Sequence, residues 1–283
     1  MTGEYFDTSV IIAIFLVIIG LSIGIPLRRK FRRKRLVAAG LSWDQSNFLM
    51  EHSFLCTALP SDLRMELFGT ISVFLDEMEF EPCGGLEEVT DEMKLLVAAQ
   101  ACIPMLSNKL DIYPKLQSIL VYPGAYVAGG GKSMLGGNVV DAPPSVRLGE
   151  SWSRGNIVLA WDQVQQNARR HNEGQDVTIH EFAHQIAQQD GSSNGIPFRK
   201  DPDEQKEWAE ILCREFEHLR EETEHGHREV IDSYGAVNEA EFFAVSTEAF
   251  FCAPHRMYKA HPELYREFTE FYKTDPASWP GYN

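Results

Sequence analysis

The chain has 283 residues, 44% of them hydrophobic, and a formal net charge of −15. Seven of its 26 basic residues and two of its 41 acidic residues precede Leu36, which leaves 19 against 39 and a balance of −20 for the rest. A body this acidic excludes the nucleic-acid-binding classes, because those proteins bind by neutralising phosphates with cations. The residues from Leu36 onward suit one large domain or two small ones with a substantial core.

Before that body, an uncharged apolar run at 8–27 precedes a strongly basic segment at 28–35 (RRKFRRKR). Twenty helical residues span about 30 Å, the thickness of a bilayer's hydrocarbon core. A cleavable signal peptide carries its positive charge before the apolar run, whereas Glu4 and Asp7 lead here. The positive-inside rule then predicts that residues 1–35 form a single-pass anchor in the cytoplasmic (inner) membrane. Its N-terminus would lie outside and the body from Leu36 onward in the cytoplasm, with the lipid bilayer as a partner through residues 8–27.

From residue 36 to 283 we predict one mainly helical α+β domain with a small mixed sheet. Helices follow from apolar periodicity and capping signals, and strands from short β-branched or apolar runs near turn signals. In chain order, the predicted elements are helix 63–80, a helix capped by Thr90 or Asp91, strands 118–122 and 156–161, and helices 203–224, 238–251 and 262–273.

Two further patterns argue for ordinary structural roles. AGGGKS at 128–133 suggests a phosphate loop, but that motif requires glycine where Tyr126 stands, so we predict a surface loop instead. The cysteines are odd in number and scattered, without a CxxC pair, which favours a reducing compartment and small buried side chains. They are Cys56, Cys83, Cys102, Cys213 and Cys252.

The stretch HEFAHQIAQQD at 180–190 carries the chemistry. His180 and His184 are four residues apart, which places both imidazoles on one face of a helix, within reach of one zinc ion. Glu181 lies beside them, where it can act on a water molecule rather than on the metal. The alternative is structural: Thr178-x-x-Glu181 fits a capping box, in which Glu181 merely satisfies a backbone amide.

Two histidines are too few for zinc, so a third ligand is needed. Asp190 would complete the pattern HExxHxxxxxD, but Ala187 stands where families with that spacing bend the chain at a glycine. If the helix continues, Asp190 points away from the metal. We therefore predict that Asp190 is a polar helix end and not a ligand.

The helix predicted at 238–251 offers two better candidates, Glu241 and Glu248. They are seven residues apart and therefore share a face within a strongly apolar segment. A carboxylate is costly there unless it is paired or binds a metal. Asn238-x-x-Glu241 is also capping-box-like, which gives Glu241 a structural alternative. The residues alone leave the ligand role open between the two acids.

At these residues the sequence resembles the Mlc titration factor A family of zinc-dependent, gluzincin-type peptidases. The resemblance runs from about Ser42 to Ala277 and rests on several long blocks in order. These are CGGLEEVTDEMKLLVAAQAC, SILVYPGAYV, GESWSRGNIVLAWDQV, HEFAHQIAQQDG, DSYGAVNEAEFFAVSTEAFF and PELYREFTEFYKTDP.

The resemblance implies that Glu241 is the third zinc ligand and that Glu248 supports the ligands from behind. It also implies that Tyr234 stabilises the oxyanion, for which a packed aromatic is the alternative. The implied fold is zincin-like, related to the anthrax lethal factor peptidase domain, with 156–161 as an edge strand that receives the substrate peptide. The predicted function is that of a membrane-anchored zinc metallopeptidase with Glu181 as general base and peptides or proteins as substrates. The alternative is a regulatory protein that sequesters a transcriptional repressor.

Overall fold

We describe the fold from a computed structural model. It covers residues 8–107, 112–124, 126–128, 132–135, 138–141, 145–147, 149–152, 155–169, 174–189, 197, 199 and 201–282. Most of these residues are helical, and one four-stranded sheet lies among the helices. The predicted α+β class is therefore confirmed.

The N-terminal segment is one long helix, α1 (Thr8–Ala39), that runs without interruption from the apolar run through the basic residues. Among the described residues, no helix combines the length and the apolar character needed to cross a bilayer. The prediction of a single-pass inner-membrane protein anchored through 8–27 is therefore wrong. The prediction took the basic segment at 28–35 as a separate stop signal after a membrane span. In the structure this segment belongs to the same helix as the apolar run and forms ion pairs with acidic residues of the domain that follows. The predicted domain boundary after residue 35 lies inside α1 and stays a prediction.

The basic end of α1 is held by acids of helix α4 (Ser61–Glu77). Arg29 and Arg33 both bind the Glu77 carboxylate, with Nη2–Oε2 distances of 2.9 and 2.6 Å, and Arg32 pairs with Asp76. Burial alone would raise the pKa of Glu77, but the hydrogen bonds from Arg33 and Arg29 lower it from 4.5 to about 2. Part of the basic charge of α1 is thus neutralised within the chain.

We expect the contact between α1 and α4 to loosen as the pH falls from about 4.5 towards 2. A carboxylate whose pKa is lowered by folding stabilises the fold above its unfolded-state pKa, and that contribution is lost as the pH falls through the folded-state value. Hydrogen exchange of residues 29–39, corrected for the intrinsic effect of pH, measures the loosening. In Glu77→Gln the same residues should exchange faster already at pH 7, whereas the exposed control Glu87→Gln should match the wild type. Equal protection in Glu77→Gln and wild type would contradict the assignment.

Most predicted helices are confirmed within a few residues. The N-cap of α5 (Asp91–Cys102) is Thr90, whose hydroxyl accepts a hydrogen bond from the Met93 N–H at 3.3 Å. The remaining helices are α2 (Trp43–His52), α3 (Phe54–Ala58), α5 (Asp91–Cys102), α6 (Trp161–Arg169), α7 (Val177–Ala187), α8 (Pro202–Glu224), α9 (Glu239–Cys252), α10 (Pro254–Ala260) and α11 (Pro262–Tyr272). Short 3-10 turns lie at Ile103–Met105, Ser233–Val237, Pro276–Ser278 and Pro280–Tyr282.

The sheet combines parallel and antiparallel pairings. Its strands are β1 (Glu79–Pro82), β2 (Ser118–Tyr122), β7 (Gly149–Trp152) and β8 (Asn156–Ala160), in the order β1-β2-β8-β7. β1, β2 and β8 are parallel, and β7 is antiparallel to β8. Two small antiparallel pairs complete the described strands: β3 (Tyr126–Ala128) with β6 (Ser145–Arg147), and β4 (Lys132–Leu135) with β5 (Asn138–Asp141). The glycines of AGGGKS at 129–131 lie outside the described residues.

The predicted edge strand is in the wrong place. β8 pairs with β2 on one side, Ser118 opposite Asn156, and with β7 on the other, Trp152 opposite Asn156. β7 is therefore the edge strand on this side of the sheet, and β1 is the edge strand on the other. The pattern that predicts a strand is weaker for β7, because GESW lacks the β-branched run that marks β8.

The core lies between the sheet and the helices, and the motif helix α7 runs through it. The Phe182 ring packs against Phe74 and Tyr113, at centroid distances of 5.7 and 4.6 Å. Cys56, Cys102 and Cys252 are buried free thiols, as predicted, but Cys83 is partly exposed and Cys213 is exposed. This packing fixes the apolar side of α7 and leaves its histidine side facing α9.

Candidate metal centre

Helix α7 begins at a buried cap that the sequence patterns did not single out. The Asp176 carboxylate accepts from the N–H groups of Thr178 and Ile179, both at 3.0 Å, and the residue is 1% exposed. Thr178 is therefore inside the helix and does not form the capping box with Glu181 that was the structural alternative to a catalytic role. The sequence signal that could have identified this cap is Asp176 itself, which lies two residues before Thr178. Aspartate is one of the preferred residues at helix N-caps.

Three candidate ligand atoms converge between α7 and α9. His180 Nε2 lies 3.2 Å from His184 Nε2 and 3.0 Å from Glu241 Oε2, and His184 Nε2 lies 3.3 Å from the same oxygen. Among the described residues, His180, His184 and Glu241 are the group of histidine, cysteine or acidic side chains with atoms close enough to share one ion. The structure thus brings together the two histidines four residues apart and one of the two candidate acids.

Helix α9 places both candidate acids on the side facing α7. Asn238 caps α9, because its side-chain oxygen accepts from the Glu241 N–H at 2.9 Å. This cap leaves the Glu241 carboxylate available for the histidines. Two turns further along, Glu248 is buried at 6% exposure among apolar residues.

Glu248 faces the opposite side of the His180 ring. His180 Nδ1 lies 2.7 Å from Glu248 Oε1, while Glu248 Oε2 accepts from the backbone N–H of Asp176 at 2.6 Å. With Nδ1–H donating to Glu248, the lone pair of Nε2 points towards Glu241 and His184. A carboxylate in this position fixes both the orientation and the tautomer of a metal-binding histidine.

Burial and charge act against each other at His180. Burial alone would lower the pKa of His180, but the hydrogen bonds to Glu241 and Glu248 raise it well above its usual range. For Glu241, burial would raise the pKa, and the two histidines instead hold it well below its usual range. The pocket therefore favours positive charge between these two carboxylates.

The acids behind the ligands show the opposite tendency. Burial raises the pKa of Glu248, against the lowering effect of the His180 hydrogen bond. Burial raises the pKa of Asp176 to about 7; the Ile179 N–H opposes this rise and the nearby Glu248 carboxylate adds to it. The carboxyl groups of Asp176 and Glu248 are thus both buried and close to each other. Such a pair is typical of a functional site and not of a solvated helix face.

Glu181 follows His180 in α7, and the Tyr234 ring lies near the His180 ring. Glu181 is 4% exposed and belongs to the buried part of α7. Tyr234, on the 3-10 turn Ser233–Val237, is 52% exposed, with its ring centroid 6.1 Å from that of His180. An exposed tyrosine at this distance is not the packed aromatic of the alternative interpretation.

Asp190 lies outside the described residues. Helix α7 ends at Ala187, where Gln188 caps it through its N–H to the His184 carbonyl at 3.1 Å. Because α7 ends before Asp190, the helix does not set the direction of this side chain, and its exclusion as a ligand stays a prediction. What speaks for Glu241 is its own position next to both histidines.

Two histidines of an HExxH helix that meet a glutamate of a second helix, next to an edge strand of a mixed sheet, define a metallopeptidase type of site. The sequence comparisons agree with this class. The glucose-regulated metallo-peptidase M90 family model matches residues 28–273, and the chain belongs to this family.

The relatives cover most of the chain. An uncharacterized protein of Synechocystis sp. is 35% identical over 270 residues, which is 95% of this chain and 98% of that protein. Mlc titration factor A of Serratia proteamaculans is 32% identical over 230 residues, 79% of this chain and 85% of that protein. Mlc titration factor A of Yersinia pestis is 30% identical over 231 residues, 79% and 82% of the two chains. The predicted membership of the Mlc titration factor A family is confirmed.

Proposed function

We propose that the protein is a zinc-dependent peptidase in which His180, His184 and Glu241 hold the metal. One observation carries this proposal: the triangle of ligand atoms with sides of 3.0, 3.2 and 3.3 Å. Atoms that bind a tetrahedral zinc at 2.0–2.1 Å are separated from one another by about 3.3 Å. The three side chains therefore stand close to the arrangement that zinc requires.

The chemistry of the donors supports the same ion. Two imidazole nitrogens and one carboxylate oxygen are the ligand set of catalytic zinc sites that keep a fourth position open. The carboxylates of Glu241 and Glu248 raise the pKa of His180 because they stabilise a positive charge at its ring. They would stabilise a zinc dication in the same way, and zinc would replace the proton because it binds the neutral imidazole. Glu248 and the Asp176 N–H supply the support behind His180 that such sites need.

When bound, zinc polarises the scissile carbonyl and lowers the pKa of water. Glu181 takes a proton from the attacking water and passes it to the leaving amine, a role that suits a carboxylate adjacent to a metal ligand. Tyr234 donates a hydrogen bond from its hydroxyl to the carbonyl oxygen as that oxygen gains negative charge. Its exposure leaves the hydroxyl accessible to a substrate.

The edge strand β7 supplies a place for the substrate backbone. Within the described residues β7 pairs with β8 on one side, and the motif helix α7 lies next to it. An extended peptide binds such an edge by main-chain hydrogen bonds, which orient a peptide without demanding a particular sequence. We infer that β7, and not β8 as the sequence suggested, aligns the substrate with the metal centre.

Glu248→Gln should weaken zinc binding by about 10- to 100-fold without abolishing it. The amide can still accept from His180 Nδ1–H but removes the negative charge that makes the ring a better ligand. Competition with a fluorescent zinc chelator measures the affinity, and the exposed Glu239→Gln on the same helix is the matched control. Unchanged affinity would remove Glu248 from the site, and complete loss of zinc would make it a ligand.

The test of the proposed function is cleavage of a quenched-fluorescence peptide library by the purified full chain. We expect cleavage that stops after removal of the metal with a chelator and returns with one equivalent of Zn²⁺ per chain. Cleavage that persists in the metal-free protein would contradict the zinc mechanism. No cleavage by the zinc-loaded protein of any library member would contradict the peptidase function.

A regulatory role is the second candidate, and the names of two relatives favour it. Each is called Mlc titration factor A and aligns with 79% of this chain. If this chain acts by binding a transcriptional repressor such as Mlc, its binding should survive Glu181→Gln, because that change leaves the surface almost intact. Pull-down of purified Mlc with both forms distinguishes the candidates: binding by both supports the regulatory role, and binding by neither contradicts it.

A further inference from the structure

The segment just before the motif helix lies against the loop that leads to Tyr234. Gly174 has a φ of +80°, which glycine adopts readily, and a Cβ there would lie 3.4 Å from the Val230 carbonyl oxygen and 3.7 Å from Ala253 Cβ. The chain thus passes close to the 230–232 loop immediately before α7 begins.

The next residue, Gln175, connects this segment to the tyrosine turn. Its side-chain Nε2 donates to Asp232 Oδ2 at 2.6 Å. The other oxygen of Asp232 accepts from the backbone N–H of Tyr234 at 2.8 Å, which makes Asp232 the cap of the 3-10 turn. One carboxylate therefore binds Gln175 with one oxygen and the tyrosine backbone with the other.

The body of the turn is fixed from the opposite side. A Cβ on Gly235 would lie 2.6 Å from Val245 Cγ2 and 3.0 Å from Leu219 Cδ2, so the turn rests directly on α9 and α8. Gly235 is buried, whereas the Tyr234 side chain is largely exposed. The Asp232 side chain holds the other side of the turn through the Tyr234 N–H.

We propose that Gln175 and Asp232 are positioning residues that hold Tyr234 beside the metal centre. The same segment also contacts the support of His180. Asp176, which follows Gln175, donates its backbone N–H to Glu248, and Glu248 is hydrogen-bonded to His180. Residues 174–176 therefore connect one metal ligand and the tyrosine to the same short segment. Loss of the Gln175 contact leaves the Asp232 carboxylate, and with it the cap of the tyrosine turn, less firmly held, while the support of His180 remains.

The first test observes Tyr234 without any substrate. With 3-fluorotyrosine at position 234, the full-length wild type should give one narrow ¹⁹F resonance. Gln175→Ala and Asp232→Ala should broaden or split it, and Gln166→Ala, an exposed glutamine on α6, should not. Asp232→Asn should restore the narrow line, since Asn keeps an oxygen for the Tyr234 N–H and its amide can pair with a rotated Gln175 amide. Identical spectra for wild type, Gln175→Ala and Asp232→Ala would overturn the proposal.

The second test rests on the proposed peptidase function and uses the best-cleaved library peptide. Gln175→Ala should lower kcat about tenfold with zinc content and KM unchanged, as expected for loss of one hydrogen bond to a charged group. Combined with Tyr234→Phe, Gln175→Ala should cause no further loss, since both changes act through one hydroxyl. Additive losses would overturn the proposal. Absence of cleavage by wild type would sink the peptidase function, while the ¹⁹F spectra would still decide the positioning.

Discussion

Replacing Glu181 by glutamine should reduce peptide cleavage by about 10²- to 10⁴-fold while zinc stays bound. Glutamine has nearly the same volume but cannot accept a proton at neutral pH, so the attacking water loses its base. The side chain is 4% exposed in α7, and the substitution keeps its size, so the fold and the three ligand atoms should be undisturbed. Steady-state cleavage and zinc analysis of the same preparation provide the two readouts.

The control for this prediction is Glu88→Gln, which makes the same change of charge at an exposed position far along the chain from α7. It should cleave at the wild-type rate. Turnover by Glu181→Gln within a factor of about two of the wild type would exclude the role of general base. Loss of zinc from Glu181→Gln would instead show that this residue is part of the metal-binding set.

Glu241→Ala should remove zinc and, with it, cleavage. The change leaves His180 and His184 as the sole ligands of the group, and two ligands are fewer than catalytic zinc sites use. Since the metal contributes several kcal/mol to the transition state, we expect cleavage to fall by at least about 10³-fold. The metal content after dialysis, measured by mass spectrometry, should fall from one zinc per chain to a small fraction.

Glu239→Ala is the matched control, because Glu239 lies on the first turn of the same helix and is exposed. It should keep one zinc per chain. If zinc survives the loss of Glu241 but not the loss of Glu248, the two acids have exchanged roles and the proposed ligand set is wrong.

Local patterns predicted the part of the site that lies within one helix. His180, Glu181 and His184 are close in the chain, and the period of an α-helix alone places them together. The proposed third ligand, Glu241, is 61 residues from His180, and spacing left Glu241 and Glu248 equivalent. The fold separates them: Glu241 lies by the Nε2 atoms of both histidines, and Glu248 lies by Nδ1 of His180.

Tertiary contacts explain the predictions that were wrong. The run at 8–27 suggested a membrane span, but no helix of the described residues is long and apolar enough to cross a bilayer, and the basic residues after the run form ion pairs with Glu77 and Asp76 of α4. β8 has the apolar sequence of a buried strand, which is the sign of a strand paired on both sides rather than of an edge. The links Gln175–Asp232 and Asp176–Glu248 join residues 57 and 72 positions apart, which no local pattern reveals.

Anomalous diffraction from crystals of the full chain, recorded on both sides of the zinc absorption edge, tests the central claim most directly. We predict one peak per chain, about 2.0–2.1 Å from His180 Nε2, His184 Nε2 and a carboxylate oxygen of Glu241. We also predict that Glu248 touches His180 and not the metal. A peak elsewhere, a peak bound by Glu248, or no peak after soaking in Zn²⁺ would contradict the proposed metal centre.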